Sequence, residues 1–283
     1  MIKKCLACNS EVFNDHFPLN VFFSRYRRVI GSNSCWKVCV NCGSLAREYS
    51  VTPKNIYSPN VYYINKEYSK RKGGLDNIIS HLSKNSVVFD IGSGPGIISN
   101  LLTQRGVNVV QVEPYRASLY KEIPQLNVSV DDFFKLKLWK SYLNDDQKAV
   151  FIFIDVFEHL NESLKELIGF IDNSVEGIYF ETGCVDFCYP AKNRWYYLDY
   201  IDHVFVPSKL GMKFLLGNEL QVKRISNSLH SYGLFNNLLR NSLKAINNIS
   251  YALFKRDIIL LPEKGLNDHI SAYLNFGGKV GKS

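Results

Sequence analysis

The segment at residues 90–96, with the spacing D-x-G-x-G-x-G, constrains the fold of this chain more than any other feature. It follows an apolar, β-branched stretch at residues 87–89 and leads into an apolar run at 97–102 that is typical of a helix. Because glycine has no Cβ, such a loop lets the backbone approach a ligand closely, and we expect free amides at the start of the helix to face that ligand. The sequence therefore predicts a strand, a glycine loop and a helix that together cradle a cofactor.

The spacing of the glycines indicates which kind of cofactor the loop holds. A dinucleotide fingerprint reads G-x-G-x-x-G, but after Gly92 and Gly94 the next glycine is Gly96, one residue too early. The loop also begins with Asp90, a carboxylate that would repel phosphate and that suits a ligand carrying an ammonium and a sulfonium. With Ser93 between the first two glycines, the loop predicts a cationic cofactor instead of a dinucleotide.

Four predicted strands each end in an acidic residue. A glycine loop between a strand and a helix occurs in many α/β folds, so the loop alone is not specific. In open parallel sheets, however, ligands bind at the carboxyl ends of the strands, and four acids in register at those ends favour a binding site. The acids at these four ends are Asp90, Glu113, the pair Asp131 and Asp132, and Asp155, after strand-like runs at 87–89, 107–112, 127–130 and 149–154.

The cysteines give a second strong pattern. Of seven in the chain, four form the pairs Cys5-x-x-Cys8 and Cys39-x-x-Cys42, whose spacing suits tetrahedral zinc–thiolate coordination. Residues 1–50 are too few for a self-sufficient core, so we expect a closed, structural zinc site to replace the missing hydrophobic burial.

Three alternatives to this zinc site remain open. A disulfide framework would need an oxidising compartment and would leave one of the seven cysteines over. The site could also lack metal, or could use Cys35 together with Cys39. Asn9 and Gly43, which follow the two pairs, tolerate the left-handed turn that points backbone amides at sulfur, and this favours zinc.

Several motifs together resemble a known family. The paired cysteines, a Tyr-Tyr linker, the glycine loop and the segment D-V-F-E-H-L at residues 155–160 are similar to the class I S-adenosylmethionine (SAM) methyltransferases, and especially to the zinc-containing bacterial sugar C-methyltransferases. The resemblance implies a doubly wound, mostly parallel, Rossmann-like seven-stranded α/β sheet with a small N-terminal zinc-knuckle domain. It implies that SAM contacts Asp90, Gly92, Ser93, Gly94, Gly96, Glu113, Asp131, Asp132, Asp155 and Tyr63.

The same resemblance points to the residues that carry the chemistry. Methyl transfer requires alignment and the removal of a proton from the acceptor, and Glu158 with His159 would supply a general base beside the cofactor. His203, in the aromatic loop at 184–203, is the next candidate. His159 could instead serve only in packing or helix capping. A further alternative is a divalent cation bound by Asp155, Glu158 and His159, as in ubiquinone-type O-methyltransferases.

We therefore expect a zinc-binding domain at residues 1–50, an aromatic linker at 51–74 and a methyltransferase domain at 75–283. The predicted acceptor is a small polar metabolite such as a sugar. The alternative is an RNA methyltransferase whose basic zinc knuckle grips the phosphate backbone, although the segment D-V-F-E-H lacks the Asn/Asp-Pro-Pro-aromatic pattern of exocyclic-amine methylation. A catalytically inactive zinc adapter is disfavoured because every expected acid is present.

The composition is that of a chain with one full α/β core and a small satellite. It has 283 residues, of which 46% are hydrophobic and 21% charged, and its net charge of +8 favours anionic partners only weakly because the basic residues are dispersed. No apolar run approaches the roughly 20 residues of a membrane span, and we expect a cytoplasmic protein. We expect an amphipathic insert at 234–254 to pack against the core, although it could instead help form the acceptor pocket or a homodimer. Segments 220–225 and 258–261 are predicted as the final antiparallel pair.

Overall fold

The computed structural model describes residues 4–11, 13–14, 36–47, 72–115, 118–160, 164–185, 203–216, 223–224 and 269–276. The predicted cofactor contact Tyr63, most of the aromatic loop and the insert at 234–254 lie outside the described residues. Within the described stretches, no helix is both long and apolar enough to cross a membrane.

The chain forms eleven described strands and five described α-helices. The strands are β1 (Phe13–Asn14), β2 (Lys37–Cys39), β3 (Leu45–Ala46), β4 (Ser86–Ile91), β5 (Asn108–Val112), β6 (Gln125–Leu126), β7 (Lys148–Ile154), β8 (Val175–Gly183), β9 (Phe205–Val206), β10 (Lys223–Arg224) and β11 (His269–Asn275). The helices are α1 (Lys72–Ile79), α2 (Ile97–Thr103), α3 (Val130–Lys135), α4 (Leu164–Gly169) and α5 (Lys209–Leu216), and short 3-10 helices lie at Leu138–Tyr142 and Phe157–His159.

The larger sheet has the order β10-β11-β8-β7-β4-β5-β6. All neighbours from β8 to β6 pair in parallel, whereas β11 runs antiparallel to both β8 and β10. From β4 the chain builds outward through β5 and β6, and then returns to the other side of β4 with β7. This confirms the predicted doubly wound, mostly parallel seven-stranded sheet, whose topological switch point lies between β4 and β7.

The central strands are apolar throughout because both faces of the sheet are covered. All of β4 is buried, and so is β7 apart from its two terminal residues. One face packs an aromatic cluster around Phe89 and Phe151, and the other packs Val88 and Val150 against Leu102 of α2. A rigid core thus supports the loops at the carboxyl ends of these strands.

One predicted strand is wrong in position, and another falls on residues that the structure does not describe. The third parallel strand is β6 at 125–126 and not 127–130, because Ser129 caps a helix: its side chain accepts the amide of Asp132 at 3.1 Å, and α3 starts at Val130. Among the described residues, the antiparallel partner of β10 is β11, whereas the predicted strand at 258–261 lies outside them.

The smaller sheet has the order β1-β2-β3-β9, with every pair antiparallel. Its first three strands belong to the cysteine-bearing segment, but the fourth, β9, comes from the chain just before α5. Leu45 pairs with Val206 and Ala46 with Phe205. The cysteine-bearing segment is therefore hydrogen-bonded directly to a strand that follows the parallel core in sequence.

Candidate cofactor and catalytic site

The glycine loop lies at the switch point, directly after β4. Gly92, Gly94 and Gly96 have φ angles of 66°, 53° and 83°, in the left-handed region that glycine adopts at little cost. Their amides bond to the Val112 carbonyl at 2.8 Å, the Glu113 carboxylate at 2.9 Å and the Ser93 carbonyl at 3.0 Å. These three amides therefore donate to acceptors within the protein, and at the glycines only backbone atoms are available to a ligand.

Neighbouring side chains leave no room for a larger residue at two of these glycines. A Cβ at Gly92 would lie 2.6 Å from a methyl group of Val156, in the turn that follows β7. A Cβ at Gly96 would lie 2.6 Å from the Ser118 hydroxyl and 2.7 Å from the Gln111 amide nitrogen. The contact at Gly92 also shows that the loops at the ends of β4 and β7 touch each other.

Asp90 and Glu113 hold this loop in place. Asp90 is buried within β4 and accepts a hydrogen bond from Ser99 of α2 at 2.6 Å. Burial raises the pKa of the Asp90 carboxyl to about 7, the nearby Glu113 adds to the rise, and the Ser99 bonds oppose it. Glu113 accepts the amides of Gly94 at 2.9 Å and Tyr115 at 3.0 Å. A cation bound nearby would favour the ionised form of Asp90.

Asp131 and Asp132 lie in the first turn of α3 and not at the end of a strand. Lys135 donates to Asp131 at 2.6 Å across one helical turn. Asp132 accepts the hydroxyl of Ser129 at 2.7 Å, which makes it part of the helix cap. Both carboxylates therefore have local partners on α3, the helix that follows the edge strand β6.

The turn after β7 begins at Asp155. This residue has a left-handed φ of 53°, which is uncommon outside glycine, and its amide donates to the Glu181 carbonyl on β8 at 2.9 Å. The chain then passes Val156 and enters the 3-10 helix that carries Glu158 and His159. The strained residue thus redirects the chain so that these two side chains lie next to the end of β8.

Glu158, His159 and His203 form a compact group, which we call the acid–histidine cluster. Glu158 is fully buried, accepts the Thr182 hydroxyl at 2.9 Å, and has its other oxygen 3.9 Å from Nε2 of His203. The two imidazole rings are 4.7 Å apart and nearly perpendicular. One ligand atom from each residue lies within 4.8 Å of the others, so the cluster could accept a proton or hold a cation.

In this grouping His203 takes the place that the sequence analysis gave to Asp155 in a cation site. The three atoms that come together belong to Glu158, His159 and His203. His203 is brought there by the segment that leads into β9, more than 40 residues after Glu158 along the chain. In the sequence, the only indication that His203 lies near Glu158 and His159 is its position in the aromatic loop.

The structure also brings polar residues to the site that the sequence analysis did not single out. Thr182 and Glu181 lie near the carboxyl end of β8, where Glu181 is buried and accepts the Tyr179 hydroxyl at 3.1 Å. On β5, the buried amide of Gln111 has no hydrogen-bond partner among the described residues, and neither does the Ser93 hydroxyl. Glu181 near the end of β8, the fifth parallel strand, is a sequence signal of the same kind as the acids that end the four predicted strands.

The four paired cysteines converge on one point, which we call the cysteine cluster. The Sγ atoms of Cys5 and Cys42 are 3.6 Å apart, those of Cys8 and Cys39 are 3.5 Å apart, and all four lie within 4.8 Å of one another. Tetrahedral zinc with bonds of about 2.3 Å places thiolate sulfurs about 3.8 Å apart, so the cluster fits this metal. The separations exceed the roughly 2.05 Å of a disulfide bond.

Two equivalent knuckles produce the cluster. Asn9, with φ 59°, donates its amide to the Cys5 carbonyl, and Gly43, with φ 75°, donates to the Cys39 carbonyl. The left-handed turns predicted at these residues are confirmed. The hydrogen bond between Cys5 and Cys42 raises the pKa of the Cys5 thiol and lowers that of the Cys42 thiol.

No family model and no curated protein matches the chain. Among solved structures, the chain is similar to a SAM dependent methyltransferase from Archaeoglobus fulgidus, with 18% identity over 76% of this chain and 99% of that chain and a TM-score of 0.47. It is also similar to the plantazolicin methyltransferase BpumL, solved with a triazolic desmethylPZN analog and SAH, at 12% identity over 76% of this chain and 86% of that chain, with a TM-score of 0.45. For WbdD the values are 15% identity, 57% of this chain, 36% of that chain and a TM-score of 0.38. The fold assignment rests on the strand order and not on these matches.

Proposed function

We propose that this chain is a SAM-dependent methyltransferase that methylates a small polar acceptor, a sugar or sugar-derived metabolite, at carbon or oxygen. One observation carries the proposal: the glycine loop at the switch point touches the turn that bears Glu158 and His159, through the contact between Gly92 and Val156. A cofactor cradle and a group of proton acceptors are therefore adjacent. That adjacency is what methyl transfer with proton removal requires.

The residues around the loop fit the parts of SAM. The backbone of Gly92 and Gly94 would lie near the cofactor, with Asp90 behind them. Glu113 has carboxylate lone pairs left after its two backbone bonds and would bind the ribose hydroxyls. We assign the adenine amino group to Asp131 or Asp132. SAM supplies an electrophilic methyl group on a sulfonium.

In this proposal the acid–histidine cluster removes the acceptor proton. His159 is the base, because it is partly exposed in the 3-10 helix beside the loop, whereas Glu158 is fully buried. Glu158 stabilises the imidazolium that forms, and the Thr182 hydroxyl holds its carboxylate in place. His203, close to both, is the alternative base.

We further propose that the cysteine cluster holds one structural zinc ion and that the protein acts in the cytoplasm. Four thiolates complete a tetrahedral shell, which leaves no open position for a substrate or water. The zinc would therefore stabilise the fold around β2 and β3 and take no direct part in methyl transfer.

Calorimetry tests the cofactor assignment. We expect the intact protein to bind SAM, and Glu113→Ala to weaken binding by ~1–3 kcal/mol because a buried charge-assisted hydrogen bond to the ribose is lost. Glu122→Ala is the matched control, since Glu122 is exposed and we expect it to leave affinity unchanged. Absence of measurable SAM binding by the unmodified protein would contradict the proposal.

The acceptor is found by incubating the protein with labelled SAM and fractionated metabolites of the source cell, followed by mass spectrometry. Label in a sugar-containing fraction supports the proposed substrate class. Label in RNA, together with RNA binding that weakens steeply with salt, would instead support the RNA methyltransferase that the basic net charge allows.

A further inference from the structure

The segment at residues 203–208 lies between the cysteine cluster and the acid–histidine cluster. Its strand β9 completes the small sheet by pairing with β3, which starts three residues after Cys42. At its beginning, the same segment carries His203. A short stretch of chain therefore connects the metal-ligating knuckle with a member of the candidate catalytic group.

Arg47, the residue after β3, donates hydrogen bonds to the backbone of His203 and Val204. Its backbone amide donates to the Val204 carbonyl at 3.0 Å, and its side-chain Nε donates to the carbonyl of His203. The guanidinium also stacks over the Trp36 ring, 4.8 Å from its centroid, which fixes the direction in which the side chain points. One residue thus holds two successive carbonyls of the His203 segment.

On its other side, the segment is attached to the turn that carries the acid. The amide of Val204 donates to the backbone carbonyl of Glu158 at 2.7 Å. Phe205 packs edge-on against Phe157, with their ring centroids 5.6 Å apart. A shift of the segment would therefore change the 3.9 Å separation between His203 and Glu158.

The far end of the segment is bonded to the metal-ligating knuckle itself. Ser208 donates its hydroxyl to the Cys42 carbonyl, and its amide donates to the Ser44 hydroxyl at 3.1 Å. Ser44 in turn accepts the Cys42 thiol at 3.2 Å. Gly211 of α5 passes so close that a Cβ there would lie 2.1 Å from the Ser44 hydroxyl.

We infer that Arg47 is a positioning residue for His203, and that the cysteine cluster, acting through β3, Arg47 and β9, determines where the acid–histidine cluster stands. The catalytic meaning of this inference rests on the proposed function, whereas the contacts that carry it do not. The metal would then have two effects, since it stabilises the small sheet and also keeps His203 beside Glu158.

The test compares Arg47→Ala with Arg105→Ala, which removes an arginine paired with Asp76 on the other side of the parallel core. In Arg47→Ala we expect displaced His203 ring signals in spectra of isotope-labelled histidine and an about tenfold faster hydrogen exchange of the Val204 amide. We also expect turnover to fall ~10-fold or more with KM nearly unchanged, because displacement of His203 disturbs the acid–histidine cluster while substrate binding is retained. Arg105→Ala should show none of these changes. Arg47→Lys, which keeps the charge and a donor, should restore part of the turnover.

Histidine signals and Val204 exchange in Arg47→Ala that match the unmodified protein would overturn the inference. If Arg47→Ala loses its metal or its fold, chelation of the unmodified full chain replaces it: removing the metal must shift the His203 signals while the amide of Gly94 stays in place. Unchanged His203 signals after chelation would also overturn it. Shifted signals in a protein that binds no SAM would leave the coupling standing and would reject the proposed function instead.

Discussion

Gly92 and Gly106 both have a left-handed backbone, with φ angles of 66° and 80°, but their surroundings differ completely. A Cβ at Gly106 would meet no atom within 4 Å, whereas one at Gly92 would lie 2.6 Å from Val156. The backbone cost of an alanine is therefore similar at the two sites, and only Gly92 adds a steric cost. Comparing Gly92 with Gly106 therefore separates the backbone cost of a left-handed alanine from the steric cost of a neighbouring side chain.

We expect Gly106→Ala to lower the free energy of unfolding by ~1–2 kcal/mol, the cost of a left-handed alanine. Gly92→Ala should lower it by a further ~1–3 kcal/mol because of the overlap with Val156. Adding Val156→Ala should recover much of that further loss, which a double-mutant cycle in urea measures. Equal destabilisation by the two glycine variants would show that the contact with Val156 does not determine the residue at position 92.

At the residue scale, the sequence singles out the candidate acids but not the groups that they bond to. Asp90 follows from the motif, yet its bond to Ser99 and its pKa of about 7 depend on burial under α2, which no spacing reveals. Asp131 and Asp132 are predicted after a strand but lie in the first turn of a helix. Acidic residues are common in both places, so the acids alone do not distinguish them. Ser129, three residues before Asp132, was the signal that decides for the cap.

At the scale of elements, the parallel core was predictable and the edges were not. β4, β5 and β7 are largely apolar and buried, which is typical of strands covered on both faces. Asp90 lies one residue before the end of β4, and Glu113 and Asp155 directly follow β5 and β7. β6 and β9 have two residues each, which is too short for any periodicity to detect. The pairing of β3 with β9 joins residues about 160 positions apart, and it depends on tertiary packing alone.

The small sheet allows a test of whether the cysteine cluster binds zinc. Purified protein should contain one zinc per chain, and Cys39→Ser should lose it, since three thiolates no longer close the tetrahedral shell. Because β9 is the fourth strand of that sheet, hydrogen exchange should rise in β2, β3 and β9 and stay unchanged in β4 and β7. Cys184→Ser is the control, since Cys184 is buried outside the cluster and its loss should leave the zinc content at one. A metal-free unmodified protein would refute the assignment.

At the scale of the whole molecule, the fold places two separate groups of polar residues at the carboxyl ends of the parallel strands. The glycine loop and Glu113 follow β4 and β5, on one side of the switch point. The acid–histidine cluster follows β7 and β8, on the other side, and is held there by the segment that leads into β9. In the proposed function, binding of the cofactor and removal of a proton therefore depend on different strands, so mutations should affect them independently.

His159→Ala tests this separation. If His159 is the base, turnover should fall ~10²–10⁴-fold, the usual contribution of a positioned base, while SAM affinity measured by calorimetry stays nearly unchanged. Glu113→Ala should show the reverse emphasis, with weakened SAM binding. His81→Ala is the matched control: His81 stacks on Tyr273 at 4.4 Å, outside the acid–histidine cluster, and we expect near-normal turnover. Near-normal turnover of His159→Ala with the identified acceptor would reject His159 as the base and make His203, the other histidine of the acid–histidine cluster, the residue to replace next.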